Sequence, residues 1–394
     1  MAIAQDSTAH PHDRRDRVLT GLMRAAWIAA VAVVTVQGIF HPRNNFLIFR
    51  GAWDHLVHGQ NLYAPGQGYQ DLFKYSPSFA FLFAPFAVVP FGLGYFLWTA
   101  LNAGLLYVAI GRLLPPRPAL VVRAIVFFDM LGSLQNAQSN ALVTALIVLA
   151  FTELARRRQF AAAVSVAVGT AVKIFPIAAG VFLMFHPRRA RFVGLCVLAG
   201  AAVALAPLLV VPARTLAAQY QGWRAVESHD APDRMFSIMQ QVHLWLHVDW
   251  PNWPQQLAGV AILMLPLAAR RDRLDDPTFQ RLFLASLLIF CVLFNHQAES
   301  PTFVLALCGV GIWFASTPAT AWNRALLAFV LLGTTAVNSS LMPATLRRDF
   351  FAPYYFKTIP IFVVWLALQV LLLRSGSEHA EVPERDVAAG QAGA

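Results

Sequence analysis

Long apolar stretches recur through this chain, at 19–39, 91–111, 192–211, 254–269, 278–294, 301–317, 324–341 and 357–374, with charged residues confined mostly to the connections. A helix of about 20 apolar residues crosses roughly 30 Å of hydrocarbon, and a helix satisfies its own backbone N–H and C=O groups where no water can. A water-soluble fold would have to hide all these stretches in one core with almost no polar skin. Only 13% of the 394 residues are charged, against about 25% in soluble domains. The soluble classes are therefore excluded, and the chain reads as an all-α, polytopic integral membrane protein.

The formal net charge of +10 would suggest nucleic acid as the partner of a soluble protein. In a membrane protein the same excess arises from basic residues in short cytoplasmic connections, so the bilayer is the expected partner and nucleic acid is not. Cys196, Cys291 and Cys308 all lie inside apolar runs, with no metal-type spacing. They read as packing residues, with no disulfide and no zinc site. Residues 1–18 are polar and carry Arg14, Arg15 and Arg17. The stretch behind them is too long for a signal-peptide core, so 1–18 reads as a cytoplasmic tail and 19–39 as the first crossing.

Two regions can be drawn in two ways. Residues 122–154 contain Asp129 and a polar knot at 133–140, and residues 160–186 contain Lys173 and Pro176. As single crossings they would place Arg156, Arg157 and Arg158 outside. As hairpins of two short helices they keep every basic cluster inside, and this is the expected arrangement. A 13-residue arm spans only about 20 Å, so the hairpin tips lie below the outer surface. Irregular backbone at that depth is tolerated only where it is buried in protein or lines a watery cavity. The result is 12 spans, four of them short arms, with both termini cytoplasmic and 20 of the 30 Lys and Arg residues on the inner side. The membrane-embedded domain is 19–374, with outer loops at 40–90 and 212–253, and the polar tail 375–394 reads as disordered.

The outer face collects polar residues that hydrophobicity does not explain. The first outer loop holds Asn45, Arg50, Asp54, Asp71, Lys74 and Tyr75. Its Phe46, Phe49, Trp53 and Leu56 fall three or four apart, the stripe of an amphipathic helix lying on the membrane. Such a loop is either an aromatic interface belt with solvated charges or part of a site. The loop 212–253 adds Trp223, Glu227, Asp230 and Asp233, among others. The run Asn295-His296-Gln297-Ala298-Glu299-Ser300-Pro301 turns one span into the next with no room for a loop. Asp129 and Lys173 are intramembrane ionisable residues, costly unless paired or wet. Either they pair with one another, or Lys173 neutralises a lipid phosphate. No glycine-rich phosphate loop is present, so phosphate contacts would fall to side chains, and a soluble nucleotide-sugar donor is disfavoured.

Several short motifs resemble glycosyltransferase family 87. They are Asn45-Phe46, Gly59-Gln60-Asn61-Leu62-Tyr63, Tyr75-Ser76-Pro77, Gln138-Ser139-Asn140-Ala141, Lys173-Ile174-Phe175-Pro176 and Asn295 to Pro301. The resemblance implies a GT-C-like fold and transfer of a hexose, mannose by analogy. The donor would be a polyprenyl phosphate and the acceptor a hydroxyl on a glycan or glycolipid, at the outer face of a bacterial inner membrane. No cofactor and no metal are implied. The family's opening aspartate is taken as the base, and Asn45 stands in its place, so another outer carboxylate must accept the proton. Asp71 is the expected base, with Glu299 and His296 positioning the acceptor. Asn45, Arg50, Asp54, Lys74, Tyr75, Gln138, Asn140, Lys173 and Asn295 are the expected substrate-binding residues. A secondary transporter and an inactive lipid-sugar binding protein are the competing classes, and polar crowding at one interface without an inverted repeat argues against transport.

This topology predicts that cysteines placed at Asn61, Gln221 and His296 react with an impermeant thiol reagent added outside intact cells. Cysteines at Arg157, Arg189 and Asp272 should be protected. Labelling at position 157 from outside would break both hairpins.

Overall fold

The computed structural model describes residues 11–64, 71–337 and 342–374, all helix and connection with no strand among them. The expected disordered tail 375–394 lies outside the described residues. So do residues 1–10, and the rest of the expected N-terminal tail is already helical.

The helices in order are α1 (Pro11–Phe40), α2 (Asn44–Val57), α3 (Pro77–Leu82), α4 (Ala84–Ala87), α5 (Phe91–Leu113), α6 (Pro116–Gln135), α7 (Asn140–Ala155) and α8 (Gln159–Val172). A 3-10 segment, Phe175–Phe185, leads into α9 (Arg189–Leu205), α10 (Ala213–Asp230), α11 (Ile238–Leu246) and α12 (Asn252–Ala269). The chain closes with α13 (Pro277–Leu293), α14 (Phe303–Ala315), α15 (Ala321–Leu331), the single turn α16 (Ala344–Leu346) and α17 (Thr358–Leu373). Four helical stretches are long and apolar enough to cross a membrane: Arg15–Phe40, Phe91–Leu113, Pro116–Gln135 and Arg189–Leu209. Six more are apolar but shorter, α7, α8 and the 3-10 segment among them. Length and composition thus mark four full crossings, and the expected count of 12 spans, four of them short arms, is not fixed by these lengths.

Both regions expected as hairpins do reverse direction. The first has unequal arms, because α6 starts at Pro116 and runs 20 residues, against 16 in α7. Proline is well placed at that start, where its missing N–H would have no helical partner. The turn between them closes in the six-to-one pattern that ends many helices. Gln138 N–H donates to the Ser133 carbonyl at 3.0 Å and Ala137 N–H to Leu134 at 2.8 Å, with Ala137 at φ +53°. In the second hairpin α8 stops at Lys173, whose backbone is extended at φ −146°, ψ 143°. Pro176 cannot continue a regular helix, and the chain returns as the 3-10 segment.

The aromatic stripe of α2 corrects one expectation. It does not lie against lipid: Phe46, Phe49 and Leu56 are fully buried. Phe46 packs on Tyr95 at 4.8 Å and Phe83 at 5.5 Å, and Phe49 on Phe79 at 5.0 Å and Trp98 at 5.9 Å. The helix is amphipathic as the spacing says, but its apolar face docks onto α3, α4 and α5. A glycine permits the nearby approach of α1 to α5, since a Cβ on Gly38 would sit 2.1 Å from the Tyr95 ring.

Asp129 supplies a second correction. It pairs not with Lys173 but with Lys357, at 2.6 Å, both side chains 5% exposed. Lys357 also donates to the Ser300 carbonyl at 3.1 Å, and Thr335 donates to the other Asp129 oxygen at 3.2 Å. A buried pair is stable only with such additional hydrogen bonds, and removing one partner strands the other charge. Lys357→Met is expected to destabilise the fold by about 3–5 kcal/mol, and Lys357→Met/Asp129→Leu to recover most of that. Thermal unfolding in detergent checks both, and equal losses in the single and double variants would show that the pair does not hold these helices.

Candidate active site

Three interruptions of the helical ladder meet at one level of the bundle: the α6–α7 turn, the break at Lys173, and the turn from α13 to α14. Around them lies a cavity of about 410 Å³, lined also by the loop 71–76, α10 and the start of α2.

Each wall is fixed by a local bond. Ser76 accepts from Phe79 N–H to cap α3, and its hydroxyl donates 2.6 Å to the Ala171 carbonyl near the end of α8. That bond holds the loop carrying Lys74 and Tyr75 against the end of α8. Tyr63 OH donates to the Tyr75 carbonyl at 2.9 Å. Gly59 ends α2 at φ +67°, a conformation costly for residues with a Cβ. The following loop docks on α10 through Gln219, which accepts from Leu62 N–H and donates to the Gln60 carbonyl. In the α13–α14 turn the Asn295 side chain accepts from Gln297 N–H at 3.0 Å, and Glu299 forms a reciprocal capping box with Thr302.

A polar chain links the three interruptions. Lys173 Nζ donates 2.8 Å to Asn140 Oδ1, the Asn140 amide donates to Gln138, and the Gln138 amide donates to Glu299 Oε2. Among the described residues no carboxylate lies within ion-pair distance of Lys173, so its direct partner is a neutral amide. Lys74 differs, pairing at 2.9 Å with Asp230, which also accepts from Gln297 at 2.9 Å. Burial disfavours the Lys74 ammonium, but Asp230, with Asp71 and Asp233, outweighs that cost and raises its pKa. Burial raises the Glu227 carboxyl, with Asp230 adding, against the opposing Trp223 N–H and Lys74. Burial also lowers His296, with Asp233 and Asp230 pulling the other way. Its Nε2 is buried without a hydrogen-bond partner among the described residues.

Of the residues expected from the sequence, Asn45, Asp71, Lys74, Tyr75, Gln138, Lys173, Asn295, His296 and Glu299 line this cavity, and Asn140 stands behind Gln138 and Lys173. Arg50 and Asp54 do not. Arg50 lies over the Phe91 ring at 5.9 Å, and Asp54 pairs with His58 at 3.4 Å on the exposed side of α2. Both are removed from the site. Trp223, Glu227 and Asp233 belong to the wall, although their stretch read as an outer loop. The signal was there: Trp223, Glu227 and Asp230 are spaced by four and three residues, one face of a helix. Among the described residues no three His, Cys, Asp or Glu side chains are grouped to hold a metal ion, and all three cysteines are free.

The sequence profile of glycosyltransferase family 87 matches residues 73–335. The chain belongs to glycosyltransferase family 87. Among curated proteins none matches it significantly. The matched span begins inside the loop that carries Lys74 and ends beyond Glu299, so it takes in most of the cavity wall. The cavity of this family 87 glycosyltransferase thus joins cations, carboxylates and an apolar side formed by Val172, Ile174, Ile177, Phe290 and Phe294.

Asn45 now has a structural role. Its amide donates 2.9 Å to the Asn136 carbonyl in the α6–α7 turn, which an ionised carboxylate cannot do. Lys74 likewise supports Asp230, whose side chain is 8% exposed. Lys74→Met is expected to cost about 1 kcal/mol of stability, a modest figure because the lysine is partly exposed, while Lys74→Arg retains most of it. Thermal unfolding checks this, and an unchanged midpoint would mean Gln297 alone holds Asp230.

Proposed function

We propose that this glycosyltransferase moves a hexose, mannose by family analogy, from a polyprenyl-phosphate donor to a hydroxyl of a glycan or glycolipid at the outer face of the inner membrane. The observation that carries the reading is Lys173, a cation bonded to a neutral amide and facing a cavity that has an apolar side. A phosphate leaving group needs cationic stabilisation rather than a general acid. Lys173 supplies that charge with Lys74 lining the same cavity, and the side containing Ile174, Ile177 and Phe290 accommodates the first part of a lipid chain.

In the proposed step the bond from the anomeric carbon to the phosphate oxygen breaks and a bond to the acceptor oxygen forms. The electron pair leaves on the phosphate, and the acceptor's proton passes to a carboxylate. Asp71 is the proposed base. It lines the cavity with Oδ1 accepting only its neighbour's N–H, from Leu72 at 2.7 Å, among its described hydrogen bonds. Glu299, oriented by Gln138, and neutral His296 position the acceptor. Attack from the side opposite the phosphate gives inversion.

The test is transfer from a radiolabelled polyprenyl-phospho-hexose in reconstituted vesicles, with donor binding measured in parallel. Asp71→Asn is expected to lose transfer and keep binding. Lys173→Met is expected to lower efficiency about tenfold or more, the size of a lost charge-assisted contact of roughly 1.5–3 kcal/mol, with little change in unfolding temperature. Full activity in Asp71→Asn, or a rate increase in Asn45→Asp, would move the base elsewhere. Uptake of the sugar without transfer would identify a transporter, and binding without turnover an inactive binding protein.

A further inference from the structure

A second cavity, of about 550 Å³, lies at the opposite end of α7 and α8 from the active-site cavity. Its separation is set by α7, 16 residues long, or about 24 Å at 1.5 Å per residue. Arg157, Arg158, Gln159, His186, Arg188 and Arg191 line it, and among the described residues no carboxylate does. Arg158 shares Glu153 with Arg112, at 3.6 and 2.8 Å. Among the described residues Arg157, Arg188 and Arg191 have no carboxylate within 4 Å.

The backbone adds to this field. α8 and α9 both begin here, at Gln159 and Arg189, and neither N-terminus is capped by a side chain. Uncapped N–H groups and the helix dipole favour an anion at such ends. His186 is buried, and its Nδ1 faces the Gln159 amide at 3.0 Å and Arg188 N–H at 3.1 Å. Two donors at Nδ1 leave the ring proton on Nε2. Burial, with Arg157 and Arg188 nearby, lowers the pKa of the ring. Arg157 occupies the left-handed region at φ +62°, closing the α7–α8 turn. Glycine is the usual residue there.

We infer that this cavity binds the phosphate headgroup of an anionic membrane phospholipid. Guanidinium groups match phosphate oxygens in fork geometry. The neighbouring surface says where the rest of such a molecule lies. Phe160 is 65% exposed beside the cavity. Val193, Val197 and Leu198 are exposed along α9, whose membrane-length stretch is only 17% buried within the protein. Acyl chains descending from the arginines would cover that surface. A general positive-inside bias explains the charges but not their gathering around one concavity with two open helix ends.

The test is thermal unfolding of the delipidated full-length protein in detergent, with added dioleoylphosphatidylglycerol, dioleoylphosphatidylcholine or sodium phosphate. Phosphatidylglycerol is expected to raise the midpoint, and the other two are not. The rise should vanish in Arg157→Gly, which suits the backbone at φ +62° and therefore folds, and in Arg191→Gln. It should persist in Arg271→Gln, which removes a basic residue from a different turn. An equal rise in all variants, a rise lost in Arg271→Gln as well, or no rise at all would overturn the site. A midpoint rise with sodium phosphate that depends on Arg157 would overturn the lipid and assign a soluble anion instead.

Discussion

In hydrocarbon a broken helix leaves backbone N–H and C=O groups with no solvent to satisfy them, and this protein breaks three helices at one level. The repairs are made by side chains. Asn45 donates to the Asn136 carbonyl, Trp98 to Ala137 and Ser76 to Ala171, while the Asn295 side chain accepts from Gln297 N–H. Each repair brings a polar residue into the interior of the bundle, where an unpaired polar group is costly. The active-site cavity follows from them, since its walls are the repaired breaks.

Electrostatics then sorts the cations. Lys357 is spent on Asp129 inside the bundle, and Lys74 on Asp230 at the cavity edge. Lys173 alone of these three bonds a neutral amide, and through Asn140 and Gln138 its position is tied to that of Glu299. The same residue type thus serves as a structural counter-ion in one place and as an available charge in another. What separates the roles is whether a carboxylate stands within reach. The arginines around His186 repeat that logic at the other end of α7, where the cavity wall contains no acid among the described residues.

The aromatic packing of α2 connects fold to site. Phe46 and Phe49 seat the helix on Phe83, Trp98 and Tyr95, and this places Asn45, one residue earlier, against the α6–α7 turn. Arg50 and Asp54 follow on the same helix but point elsewhere. Asparagine at position 45 exchanges a proton acceptor for a hydrogen-bond donor, so in this chain the residue serves the architecture of the turn.

Period and composition were enough to determine an all-helical membrane protein. The proline and polar residues near 133–140 and 173–176 were enough to mark where helices fail, because a helix needs an N–H at every interior position and an apolar surface in lipid. The same reading singled out Lys173, Gln138 and Glu299 as polar residues at such failures, and all three line one cavity. Partners were not legible. Whether Asp129 meets Lys173 or Lys357 depends on where packing brings the segment before α17, and 228 residues separate Asp129 from Lys357 in the chain. The stripe of α2 gave a helix with one apolar face, and periodicity has no term for whether protein or lipid covers it. Glu227 and Asp233 read as loop because Pro232 lies close by, yet α10 runs to Asp230 and carries Glu227 into the wall. Tertiary structure decided these matters, because contact between distant segments is a property of packing in three dimensions and leaves no period in the sequence.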